Sequence, residues 1–393
     1  MRVGVAGFVP ERLTQARVYA SLTKLELSER LGKSSSSISR WEKGDSLPEA
    51  DALEAMSLAL GFPTAWFSKP LERAGTPVFY RSLASATSDL RGKAGVKMDW
   101  LQELVAYLSS WLEWPDVNVP TLDVEDHREL DLVDIARAAL KCREIWGLGV
   151  GPIDDLVLAA ESAGIICSYT HQGNTKMDGL SQWDKEKLRP FILLADDKYN
   201  YYRSRFDLAH EIGHIVLHKG ISTFDINHIK EIEAQANFFA GCLLIPEESL
   251  SVELHRYASL ENMLSLKRKW KISVAAIIYR ADQLGLLSES EVLRLRKSYS
   301  ARGWSKGELY DDERGPEQVR LIPRAISALL DAKIKTKMEI AQDLMVPRKE
   351  LEKQCSVPEG FFSASPKPIV SPVLRLKEGT LTGVSNVVEF KKK

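Results

Sequence analysis

The run Phe206-Asp207-Leu208-Ala209-His210-Glu211-Ile212-Gly213-His214 decides how the middle of the chain is read. Its apolar spacing predicts a helix from about Phe206 to His218. A helix turns about 100° per residue, so histidines four apart lie on one face, roughly 6 Å apart along the axis. Two imidazoles so placed can grip one metal ion. Glu211 projects toward the same edge, where a carboxylate can take a proton from water. The ordinary alternative is a buried amphipathic helix whose histidines are satisfied by hydrogen bonds.

A catalytic zinc takes three protein ligands and keeps one position open, so a third donor must come from elsewhere. The extended three-histidine version of the motif would need Gly at 217 and His at 220, where this chain has Leu217 and Gly220, and is excluded. Downstream, Glu231 to Pro246 reads as a second helix, rich in small residues and ended near its proline. Glu233 and Asn237 share one face of it. Glu233 completes a set of two histidines and one glutamate, and Asn237, one turn on, can hydrogen-bond a ligand histidine and fix its ring. Glu231 would point away from Glu233. His218 and His228 are further donors that the set does not require, and Tyr201, Tyr202, Arg203 and Arg205 are candidate transition-state donors among which the sequence does not choose.

At these residues the sequence resembles the ImmA/IrrE family of bacterial metallopeptidases. The carriers are Phe206 to His214, then Glu233-Ala234-Gln235-Ala236-Asn237 and Leu243-Leu244-Ile245-Pro246, and the likeness runs from about Asp131 to Leu287. The resemblance implies a gluzincin-type fold with Zn2+ on His210, His214 and Glu233 and with Glu211 as general base. It also implies a protein substrate such as a repressor. Before the motif helix, Gly164 to Tyr169, Gly179 to Trp183 and Arg189 to Asp196 read as short strands. A small sheet offers an edge to an extended peptide, and Phe191 to Leu194 is the preferred edge, the alternative being that it is simply core.

The amino-terminal part carries a second signal. Thr23-Lys24-Leu25-Glu26 has the form of a capping box, opening a short helix to Leu31. Gly32 supplies a turn, Ser34 can cap a second helix through Ile38 to Trp41, and Gly44 and Pro48 close it. This is the helix-turn-helix arrangement. The stretch Arg12 to Phe67 resembles the XRE type of helix-turn-helix domain, which implies binding to operator DNA. In many relatives a glutamine opens the first paired helix; here Lys24 holds that place, shifting its expected contact to a phosphate. By position Ser35, Ser36, Ser39 and Arg40 would meet base edges or phosphates, with Lys33 and Lys43 positioning the backbone.

Residues 1–70 hold nine Lys and Arg against eight Asp and Glu, a net of +1, while Lys33 to Lys43 holds three against one, or +2. A local basic helix on a neutral domain fits moderate affinity, strengthened by a homodimer on a palindrome. A helix-turn-helix used only for protein contacts is the alternative.

The whole chain, 393 residues with 44% hydrophobic composition and a net charge of -1, gives no global pull toward nucleic acid or membrane and predicts two or three domains. Cys142, Cys167, Cys242 and Cys355 are too scattered for a metal knuckle or a disulfide framework and read as reduced core thiols. With neither a signal peptide nor a membrane-length apolar run, the expected address is the cytoplasm.

Between the two motif regions, Pro77 to Ser82 leads into a helix expected from about Lys97 to Trp114, with Leu101, Leu104, Val105, Leu108 and Leu112 on one face. That face is expected to pack on the peptidase-like domain rather than on a second copy. Beyond Leu287 the chain is again helical, with Ser300 to Trp304 as a loop. Thr336 to Leu344 echoes the capping box of Thr23 to Leu31, and Pro347 can open a following helix. That part suggests a packing or substrate-docking module ahead of a second DNA reader. The tail Val384 to Lys393 says little.

The expected fold is mainly α with a small β-sheet (α+β). A helix-turn-helix domain occupies 1–70, a linker and amphipathic helix 71–127, a gluzincin-like metallopeptidase domain 128–290 and a helical extension 291–393. The expected function is a DNA-binding regulator with a zinc endopeptidase domain. The alternative is a non-proteolytic repressor or antitoxin-like regulator whose metal domain senses a ligand or is structural.

Overall fold

Local signals start and stop the amino-terminal helices. α1 spans Pro10–Tyr19, α2 Lys24–Leu31, α3 Ser35–Lys43 and α4 Ala50–Leu60. The Thr23 hydroxyl accepts from the Glu26 amide while the Glu26 carboxylate accepts from the Thr23 amide, so the capping box is complete. Gly32 closes α2 in the left-handed conformation, and the Ser34 hydroxyl accepts from the Ser37 amide to open α3. Leu27, Leu31, Ile38 and Trp41 turn inward against Leu13, Ala16 and Met56. The computed structural model describes residues 4–71, 88–122, 124–171, 178–184, 188–196, 200–221, 228–254 and 258–363. The stretch Pro77 to Ser82 and the tail Val384 to Lys393 lie outside them.

α5 runs Ser88–Leu108, earlier at both ends than the apolar spacing predicts. Ser109 turns its hydroxyl back onto the Val105 carbonyl and accepts from the Trp114 indole, a local alternative to continuing the helix. Leu112 still packs on the core, but from the turn that follows. α6 (Leu132–Ile145) and α7 (Leu156–Ser162) lead into a three-stranded sheet of β1 (Ile166–Thr170), β2 (Gly179–Asp184) and β3 (Arg189–Ala195). The strand order is β1-β3-β2, with β1 parallel and β2 antiparallel to β3.

The central strand is therefore β3, and Phe191 to Leu194 is not the edge. Phe191, Ile192, Leu193 and Leu194 are all buried, and a run apolar on both faces is stable only with cover on both sides. Among the described residues, no strand pairs with the outer side of β2.

α8 (Tyr201–Leu217) and α9 (Ile229–Leu244) follow, then α10 (Glu247–Glu253), α11 (Leu260–Trp270), α12 (Val274–Gln283) and α13 (Glu289–Ala301). The expected loop at Ser300 begins only after Ala301, and Trp304 is tucked inward. α14 (Leu321–Asp331), α15 (Lys337–Leu344) and α16 (Arg348–Gln354) complete the described chain, and Thr336 and Glu339 again form a capping box.

Two apolar cores meet at the sheet. Ile166, Leu180, Phe191 and Leu193 face a core shared with α1–α5 and α14–α16, while Cys167, Ile192 and Leu194 face one built by α6–α13. α5 thus packs on three bodies at once: the helix-turn-helix, the sheet and the carboxy-terminal helices. All four cysteines are free and buried. No helix among the described residues is long and apolar enough to cross a membrane.

Candidate metal centre and nucleic-acid interface

α8 begins at Tyr201 because the Asn200 side chain accepts from the Arg203 amide, which the apolar spacing alone does not register. It packs against α9 at Gly213, where a Cβ would stand 3.1 Å from the Phe239 ring and 3.2 Å from the Ala236 Cα and carbonyl oxygen. That close approach brings Glu233 onto the histidines. His210 Nε2 is 3.2 Å from Glu233 Oε2, His214 Nε2 is 3.5 Å from Glu233 Oε1, and the two Nε2 atoms are 3.0 Å apart.

The proton positions on both rings follow from their outer partners. Asn237 Oδ1 lies 2.9 Å from His210 Nδ1 and accepts its proton. Gln235 uses its Nε2 to donate to the His127 carbonyl, so its Oε1 accepts from His218 Nε2 at 3.0 Å. His218 Nδ1 is then an acceptor, and His214 Nδ1 donates to it at 3.0 Å. Both Nε2 lone pairs therefore point at one place beside a carboxylate, of which Oε1 is buried and makes no hydrogen bond. Facing lone pairs repel unless a cation lies between them. The donor set of two imidazoles and a carboxylate fits a divalent cation of the zinc kind.

With no cation bound a proton takes that place: burial opposes the charge on His210, but the hydrogen bond from its Nε2 to Glu233 and the Glu211 and Glu233 charges outweigh it and raise its pKa to about 9. Burial likewise works against ionised Glu233, yet the close contacts and charges of His210 and His214 bring it down to about 2. Burial raises Glu211 to about 7, the His210 charge and the Ser181 hydrogen bond only partly offsetting it. Ser181, on β2, donates to Glu211 Oε2 at 2.6 Å, and Gly179 comes so close that a Cβ there would stand 2.9 Å from Glu211. β2 thus lies directly over the carboxylate.

Glu231 faces away from Glu233, hydrogen-bonded to His127 and His228. His218 does not join the inner set; it orients His214. Tyr201 and Tyr202 start eight or nine residues before His210, about 12 Å or more away along the helix axis. Arg205 is buried in an ion pair with Glu317 and donates to the Ile153 carbonyl, which makes it a packing residue. Ser181, Gln235 and His218 in these roles are the residues sequence reasoning misses. His218 has a signal in the four-residue spacing from His214, Gln235 in its place between Glu233 and Asn237, and Ser181 has none.

On α3, Ile38 and Trp41 are buried, and Ser36, Ser39, Arg40 and Lys43 lie on the opposite face at helical spacing. Ser36 is tied to the Ser34 cap, and Ser35 is half-buried at the helix start. Lys24 is ion-paired at 3.1 Å with Glu42, which also holds Arg17, and Lys33 lies 3.7 Å from Asp51. Arg40 and Lys43 are exposed and make no ion pair among the described residues. On α3 itself the positive charge offered outward is thus concentrated at the end of the helix.

Comparison with known families agrees with both parts. Residues 160–282 match a peptidase family described as the IrrE N-terminal-like domain, and residues 13–67 match the helix-turn-helix family. No curated protein is similar enough to be matched to the chain. Fold and site together define a regulator-type DNA-binding module joined to a metallopeptidase-like domain. The chain is a fusion of an XRE-type helix-turn-helix with an IrrE/ImmA-like domain.

Proposed function

We propose that this chain is a DNA-binding transcriptional regulator whose IrrE-like domain is a zinc-dependent endopeptidase that cleaves a regulatory protein such as a repressor. The carrying observation is the convergence of the His210 and His214 lone pairs on Glu233, with Glu211 buried alongside. Zinc held by His210, His214 and Glu233 would supply Lewis-acid polarisation of a peptide carbonyl and of water. Glu211, with a pKa near neutrality, takes the proton of the attacking water and returns it to the departing amine nitrogen. Ser181 aims that carboxylate, and Asn237 and His218 hold the two imidazoles in place. An extended substrate pairing with the outer side of β2 would run past Glu211. Arg40 and Lys43, with Ser36 and Ser39 before them on the same face of α3, would contact operator DNA.

One observation favours a second reading. Glu211 is only 2% exposed beneath β2, which suits a latent peptidase or a domain that senses a ligand without cleaving. The native protein and Glu211→Gln are to be assayed for bound zinc and for cleavage of the proteins encoded beside the gene. Equal zinc content, with cleavage at least about 100-fold slower in the variant, supports the peptidase. Zinc retained without cleavage under any activating condition supports the sensor. For the other half, a sequence-selective footprint that Arg40→Ala weakens supports operator binding, whereas no footprint points to protein contacts.

A further inference from the structure

Glu231 lies two residues before Glu233 and so faces nearly the opposite side of α9. There it meets two histidines, His228 from the N-cap of the same helix, three residues earlier, and His127 from the segment before α6. His127 Nε2 is 2.8 Å from Glu231 Oε2, and His228 Nδ1 is 3.2 Å from the same oxygen. One ligand atom from each residue lies within 4.8 Å of the others, and the two rings are tilted together with centroids 5.1 Å apart. His127 comes from the short 3-10 turn His127–Glu129, which the Asp126 side chain caps, and its carbonyl is fixed by the Gln235 amide at 2.8 Å. Asp126 Oδ1, itself held by Arg128, stands 3.5 Å from His127 Nδ1. The shorter contact keeps the His127 hydrogen bond on Nε2, donated to Glu231, so a bound cation would take the place of that proton.

Two histidine–glutamate ion pairs are the ordinary account of such a cluster. They would not require both rings to crowd onto one carboxylate oxygen, since an exposed glutamate has two oxygens and solvent to share. From this convergence we infer that His127, His228 and Glu231 form a second divalent-cation site, distinct from His210, His214 and Glu233. Two imidazole nitrogens and one carboxylate select zinc, cobalt, nickel or copper over magnesium or calcium. The Glu231 side chain is 57% exposed, so solvent completes the coordination and the ion exchanges with the medium. Occupancy would clamp the segment before α6 to the first turn of α9, the helix that carries Glu233. The inference stands whether or not the inner site hydrolyses peptides.

The test uses the full chain without an affinity tag, stripped with chelator and titrated with Zn2+ by calorimetry and with Co2+ by visible absorbance. Native protein is expected to bind two equivalents, and the double variant His228→Ala, Glu231→Gln one. The two side chains are 33% and 57% exposed, so shortening or neutralising them opens no buried cavity. Two equivalents in the double variant, or a single native equivalent that it retains, overturns the site. A single native equivalent that the double variant loses supports this site and overturns the inner one instead.

Discussion

Around the inner centre the decisive feature at residue scale is where two protons sit. His210 and His214 each give their Nδ1 proton outward, to Asn237 and His218, which frees both Nε2 atoms for a shared partner. His218 can accept only because Gln235 takes its other proton, and Gln235 is oriented by the His127 carbonyl. Outer partners of this kind set ring orientation and ligand basicity. His218→Ala is therefore expected to weaken metal binding about 10–100-fold with the helix intact, as read by competition with a chromophoric chelator. Unchanged affinity would mean that His214 is oriented by packing alone. The thiols make a contrasting case: burial drives Cys142 up to about 12, so it should not react with a thiol reagent at pH 8 until the protein is unfolded.

Among the elements, the contact between α8 and α9 assembles the site. Glu233 is 19 residues beyond His214 in the sequence, and nothing local draws the two together; the missing side chain at Gly213 does, by letting the helices close. Gly213→Val would put a branched side chain against the Ala236 backbone, which cannot move aside as a flexible side chain would. Stability is expected to fall by about 1–3 kcal/mol, with loss of metal binding at the inner site, in chemical denaturation and metal titration. Normal binding would show that the helices tolerate a wider spacing. The sheet makes a related point, since the strand richest in apolar residues takes the centre and leaves β2 as the strand nearest Glu211.

For the whole molecule, the helix-turn-helix is docked as well as tethered. Arg12 is fully buried, reaches Glu103 on α5 through two bonds of 2.8 and 3.0 Å, and lies over the Trp66 ring, while Trp66 and Phe62 pack against Trp100. Lys97, earlier on α5, bonds Thr170 on β1 and pairs with Glu350 on α16. Removing one member of a buried ion pair leaves the other charge uncompensated. Glu103→Ala should cost about 3 kcal/mol, read as a lower urea midpoint, and should raise amide exchange in α1 while zinc content is retained. An unchanged midpoint would mean that water reaches Arg12 as readily as Glu103 does.

What the sequence determined by itself is local chemistry: the capping boxes at Thr23 and Thr336, the Ser34 cap, the four-residue histidine spacing and the apolar strands. Each is set by neighbours within a turn or two, where hydrogen bonding and side-chain periodicity leave little choice. Even Glu233 and Asn237 could be read as a pair, because both lie on one helix. The tertiary structure alone decided which strand is the edge, that Ser181 rests on Glu211, that His218 supports His214, and that His127 meets His228 and Glu231. Those contacts join segments separated by 4 to more than 100 residues, and all but the His214–His218 pair depend on how elements pack. Packing is a sum over every buried side chain, and no single stretch of sequence contains it.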